Sequence, residues 1–175
     1  MGIELTWAER ELRSLDRLTG EIVVCSMFAE ERPPHGIAGL IDWRLGGRLS
    51  RLCLSRFLTG GHQELLLVPG RPRVSFDKIV VVGLGAREGF DEARFHDALS
   101  RALRALVDLQ VRRVTIDLPG RHAGAIDAAK ALSILSSLVG LAGDATIATE
   151  LEAITIVDDG DAQRAWSEMA RTRRR

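Results

Sequence analysis

Two almost wholly apolar runs constrain this chain more than anything else in it. They are Ile22-Val-Val-Cys-Ser-Met-Phe28 and Lys78-Ile-Val-Val-Val-Gly-Leu84. A strand with one face in water alternates apolar and polar residues. A strand that reads apolar at successive positions must be covered on both faces, as in a sheet held between helical layers.

The remaining segments supply those layers. Apolar or β-branched stretches predict further strands over residues 3–6, 64–68, 113–118 and 151–157. Helical spacing predicts helices over 8–18, 37–45, 48–58, 91–109 and 124–141, and from 161 to about 170, with a frayed basic tail over 171–175. Pro33-Pro34, Gly46-Gly47, Pro69-Gly70 and Pro119-Gly120 punctuate them. Asp91 is suited to cap the helix after it, and Phe90 and Phe95 have the spacing of a hydrophobic staple. Strands alternating with helices predict an α/β fold of three layers, α/β/α, around a mixed and mostly parallel sheet. No long linker or internal repeat divides the chain, so residues 1–175 are read as a single domain.

Charge and composition narrow the function by exclusion. Lys+Arg and Asp+Glu are both 24, so the net charge is zero, and neither nucleic acid nor an anionic membrane is an expected partner. No apolar run approaches the roughly 20 residues of a membrane helix, and residues 1–11 do not read as a signal peptide. A cytoplasmic setting is expected. Cys25 and Cys53 fall in apolar patterns and read as buried free thiols. His35, His62, His96 and His122 each stand alone, without metal-ligand spacing, and read as isolated surface residues; no metal site and no cofactor is expected. The acidic clusters at Glu30-Glu31, Asp91-Glu92 and Asp158–Asp161 read as solvated turns and helix ends. No serine lies in a G-x-S-x-G elbow, and no catalytic residue is assigned.

Two glycine loops are the candidate ligand sites. Gly36 and Gly39 join a strand to a helix, and so do Gly83 and Gly85. Backbone amides at such junctions favour anions. The spacing nevertheless matches neither dinucleotide nor P-loop patterns, and tight turns and close packing are the plainer reading. Trp43 and its neighbour Arg44 are candidates for an interface, although the helical pattern around Trp43 also suits core packing.

Residues 36–54 read GIAGLIDWRLGGRLSRLCL. This stretch resembles the N-terminal domain of the M17 leucyl aminopeptidase family. The order of the surrounding pieces resembles it too: the Glu30-Glu31-Arg32-Pro33 turn before it, residues 57–61 after it, then the 78–85 strand and turn and the long helix from Asp91. The resemblance spans about residues 21–143 and implies a macro-domain-like fold. It also implies a domain that in the full enzymes contributes to assembly, while a separate C-terminal domain with an NTDAEGR-type motif holds two metals and performs the peptidase chemistry. This chain has no asparagine, so that motif is absent and no catalytic residue carries over.

The leading expectation is therefore a non-catalytic, free-standing assembly or regulatory domain, whose partner is a further copy of itself or an M17 aminopeptidase. A macro-like domain binding ADP-ribose or another nucleotide is the alternative, and a fragment of a metal-dependent aminopeptidase is a second. In macro domains that bind or hydrolyse ADP-ribose, an asparagine after an early strand orients the distal ribose, and its absence weighs against that activity.

Overall fold

The two apolar runs become adjacent interior strands of a six-stranded sheet. The computed structural model describes residues 2–141 and 143–173. Its strands are β1 (Glu4–Glu9), β2 (Gly20–Met27), β3 (Leu65–Pro69), β4 (Phe76–Gly83), β5 (Arg113–Ile116) and β6 (Ala153–Asp158), in the spatial order β1-β6-β5-β2-β4-β3. Every neighbouring pair is parallel except β3–β4, which is antiparallel. The sheet is mixed and mostly parallel, as the sequence predicts.

Side-chain alternation divides the interior into two apolar layers. Ile22 and Val24 of β2, Val80 and Val82 of β4, and Ile154 and Ile156 of β6 point to one layer. Helices α4 (Glu92–Asp108), α5 (Ala128–Val139) and α6 (Asp161–Arg173) cover it. Val23, Cys25 and Met27 of β2, with Ile79 and Val81 of β4, point to the other. There α1 (Leu12–Arg17), α2 (Gly36–Arg44) and α3 (Arg48–Leu54) supply Leu15, Ile37, Ile41, Leu49 and Cys53. Each fully buried Ile, Val, Leu or Phe contributes on the order of 1.5–3 kcal/mol, so both layers stabilise the fold. The result is the expected α/β/α arrangement.

Local signals fix several boundaries. The Asp91 carboxylate accepts the Arg94 N–H at 2.9 Å, capping α4, and Phe95 is fully buried. Asp127 caps α5 through the Ala129 and Lys130 amides, so that helix begins at Ala128 rather than at Gly124. A short 3-10 turn, Arg121–Ala123, fills the space before it. At the other end of the chain β1 runs on through Trp7 and Ala8 to Glu9, because these residues pair with Ile156 and Val157 of β6. The helix expected over 8–18 is accordingly only α1. Helix α6 extends three residues beyond the expected limit, to Arg173; Arg174 and Arg175 of the predicted tail lie outside the described residues. No described helix is long and apolar enough to cross a membrane.

Candidate functional site

Five parallel strands end at one crest of the sheet, and charged residues close them. Arg10 follows β1, Asp158 ends β6, Asp117 follows β5, and residues 28–31 follow β2. In open α/β sheets this carboxyl edge is where ligands bind. Here much of it is occupied by a chain of buried ion pairs. Arg121 forks onto Asp158, with Nε and Nη2 each donating at 2.9 Å, and Nη1 donates to the Ile126 carbonyl at 3.0 Å. Arg10 donates to Asp117 at 3.1 Å and lies 3.7 Å from Asp158. His122 Nε2 bonds Glu31 Oε1 at 2.6 Å, and Glu31 Oε2 accepts the Phe28 N–H at 3.3 Å. His122 Nδ1 and Asp117 Oδ2 stand 3.9 Å apart, buried and, among the described residues, without a hydrogen-bond partner.

This geometry sets the two aspartates in opposite directions. Burial raises the Asp117 carboxyl above its ordinary range, against the opposing pull of Arg10 and His122. Burial also works to raise Asp158, but the Arg121 fork and the Asp159 N–H overcome it and hold that carboxyl at about 2. Burial likewise raises both thiols, Cys25 most strongly, so neither is primed as a thiolate at neutral pH.

Two readings from the sequence are corrected here. His122 is not an isolated surface residue: its side chain is 2% exposed and paired. Glu31 and Asp158 are not solvated; both are buried partners of the crest. Burial of these groups follows from the strands delivering them between the covering helices.

Both glycine loops do arrive at the crest, and the Ala29 N–H bonds the Gly85 carbonyl at 2.9 Å. The chain itself fills their immediate surroundings. Gly36 has φ +57°, and a Cβ there would lie 2.7 Å from His122 Cβ. At Gly39 the obstacle is the Pro34 carbonyl at 2.6 Å, at Gly83 the Gly61 carbonyl at 2.1 Å, and at Gly85 His62 Cβ at 3.1 Å. Beside them a cleft of about 440 Å³ opens between Phe28, Glu30, Glu31, His35, Arg87 and His122. Arg87 spans its rim, donating to the Ala123 carbonyl at 2.7 Å while its N–H bonds Glu30.

The second candidate region is the outer face of α2 and α3. Asp42 is buried and locks the two helices together. Its Oδ1 accepts the Leu49 N–H at 2.6 Å and the Ser50 N–H at 3.2 Å, and its Oδ2 accepts the Ser50 hydroxyl at 2.5 Å. A carboxylate from one helix thus caps the next. Arg44 forks onto Asp16 of α1. Trp43 is not packed in the core: it is 73% exposed, with Leu54 at 82% and Phe57 at 66%. A depression of about 610 Å³ along Pro33, Pro34 and Trp43 adjoins one of about 280 Å³ at Cys53 and Leu54, with Pro33 and Ser50 common to both.

Sequence spacing carried no sign of the crest pairings. Glu31 and His122 are 91 positions apart, and Arg10 and Asp117 are 107 apart. The available signal was weaker: Asp117 and Asp158 are acids placed directly after β-branched apolar runs.

Comparison with known proteins agrees with this fold. The model for the N-terminal domain of the cytosol aminopeptidase family matches residues 23–143. A probable cytosol aminopeptidase of Burkholderia multivorans is 27% identical over 112 residues, which cover 64% of this chain and 22% of that protein. The chain thus spans about a fifth of the length of such relatives. Among solved structures, a tomato leucine aminopeptidase variant superposes with a TM-score of 0.66 at 14% identity, covering 94% of this chain and 35% of the enzyme. A Trypanosoma brucei macrodomain in complex with ADP-ribose superposes at 0.69 with 12% identity, covering 95% and 69%. At these identities the structural likeness shows a shared fold.

Proposed function

The chain belongs to the cytosol aminopeptidase family through that family's N-terminal domain, and from this premise we propose that it is a binding domain without peptidase chemistry of its own. It serves in assembly with further copies of itself or with an M17 aminopeptidase, in the cytoplasm. The observation that carries this reading is the exposure of Trp43, Leu54 and Phe57 on the α2–α3 unit. Exposed large apolar side chains beside adjoining depressions mark a surface that is covered when the protein works. The absent NTDAEGR-type motif supports the non-catalytic half of the reading.

Native mass spectrometry of the purified chain, alone and mixed with a cytosol aminopeptidase, tests the proposal. A homo-oligomer or a stoichiometric complex is expected. A strict monomer that captures no aminopeptidase overturns it. Leucine-p-nitroanilide turnover with Mn²⁺ or Zn²⁺ is expected to be absent, and a metal-dependent rate would show an active fragment instead.

The crest cleft favours one second reading, a nucleotide such as ADP-ribose. It lies at the carboxyl ends of parallel strands, beside Arg87 and the start of α2. Glu30 and Glu31 line the same cleft and oppose a diphosphate. Calorimetry with ADP-ribose separates the two readings: no heat at millimolar ligand removes the second.

A further inference from the structure

The geometry points to an acidic protein segment, with an apolar side chain among its carboxylates, as the partner of the α2–α3 face. This rests on the binding-domain reading and names its surface and counter-chemistry.

The argument begins with charge. Residues 32–58 contain five arginines and one acid, Asp42, so the rest of this neutral chain holds four more acids than bases. Asp42 is buried and committed to capping α3. Arg44 is paired with Asp16. Arg32, Arg48, Arg51 and Arg56 are exposed and, among the described residues, form no ion pair. Arg73 is likewise exposed and unpaired, and its guanidinium comes within 3.7 Å of a Cβ built at Gly46.

Two of these guanidiniums are held in place. Arg32 donates to the Glu31 and Thr59 carbonyls, both at 2.7 Å, and Arg51 donates to the Gly46 carbonyl at 2.8 Å. They therefore present charge at fixed positions with little entropy left to lose. Between them lie the two adjoining depressions, floored by Pro33, Ser50 and Cys53 and flanked by Trp43 and Leu54. An apolar centre with arginine around it is the anatomy of a protein–protein hot spot. A face whose unpaired exposed charges all share one sign selects a counter-surface of the other.

The same features favour a protein segment over a polyanion. The excess of acids elsewhere repels a long nucleic acid or a broad anionic bilayer, whereas a short acidic segment meets only this face. Depressions, rather than a flat basic strip, call for a side chain to enter them.

The test is to pan a random dodecapeptide phage library on the immobilised full chain. Fluorescent versions of the winning peptides are then titrated against wild type, Trp43→Ala and Arg48→Glu/Arg51→Glu. Enrichment of Asp and Glu around Leu, Phe or Trp is expected, with affinity at least tenfold weaker in each variant. Neutral or basic winners, or binding unchanged in the variants, overturn the inference. Vesicles of phosphatidylglycerol and an oligo-dT strand are titrated in parallel, and tighter binding to either also overturns it. Far-ultraviolet circular dichroism confirms that each variant is folded, and the exposed Trp43 supplies a site where folding is not at stake. If the aminopeptidase or self-complex forms but the double arginine variant leaves it intact, this inference fails while the binding-domain reading stands. If no complex forms, that reading fails.

Discussion

The crest and the α2–α3 face are both rich in arginine, and they use it in opposite ways. At the crest Arg10 and Arg121 turn inward onto Asp117 and Asp158, Arg121 buried and Arg10 largely shielded from water. On the α2–α3 face Arg32, Arg48, Arg51 and Arg56 remain in solvent around exposed apolar side chains. A buried charge with its partner removed is expensive, whereas an exposed one is nearly free to change. The crest is therefore where substitutions act on folding, and the face is where they act on binding.

The largest expected effect breaks the crest. Arg121→Met leaves Asp158 buried with the Asp159 N–H and the longer contact to Arg10 but without its bidentate counter-charge, and a loss of about 3–5 kcal/mol is expected in urea unfolding. A loss below about 1 kcal/mol would show that the crest is not the charged keystone described above. Gly83→Ala comes next. Its new methyl group meets the Gly61 carbonyl, and the Glu64 carboxylate pins that loop through the Thr59 and Gly60 amides. A cost of about 2–3 kcal/mol is expected from the same measurement.

Acid sharpens the contrast within the crest. Asp158 is depressed, so its contribution is complete above its unfolded value near 4 and is lost as pH falls to about 2. That amounts to roughly 2 kcal/mol. Asp117 is raised, so its term has the opposite sign: it favours the fold at low pH and is lost as pH rises through its folded value. Urea midpoints at pH 5 and pH 2.5 should therefore differ less in Asp158→Asn than in wild type. An identical acid loss would remove Asp158 from the account. The smallest expected effect is on the other face. Trp43→Ala should change unfolding stability by no more than about 0.5 kcal/mol while weakening partner binding tenfold or more, about 1.4 kcal/mol.

The fold was legible where periodicity alone decides it. The runs beginning at Ile22 and Lys78 required cover on both faces, and the structure covers both. The beginning of α5 was less legible, because the 3-10 turn at Arg121–Ala123 displaces it to the Asp127 cap. Trp7 and Ala8 were also ambiguous. Nothing local distinguishes a helix start from an edge strand whose partner lies far along the chain. The site was legible only as glycines and a tryptophan. Its charged members are brought together by strand order, which a single sequence does not display. Asp42 illustrates the limit. It stands in the stretch that carries the family resemblance, yet its role in fastening two helices appears only when both are seen side by side.

The pairing of β1 with β6 carries a consequence in time. Thr6 and Thr155 share a hydrogen bond of 2.8 Å across 149 positions. At the usual 5–20 residues per second of synthesis, β1 waits roughly 7–30 s for its partner to be made. Through that interval the other strands can already pair, and β1 is an unmatched ribbon beside a growing sheet. β1 can therefore pair in the sheet only after β6 has been made, and that pairing brings Arg10 to Asp117. The outer edge of the sheet and the charged crest are completed in the same late event.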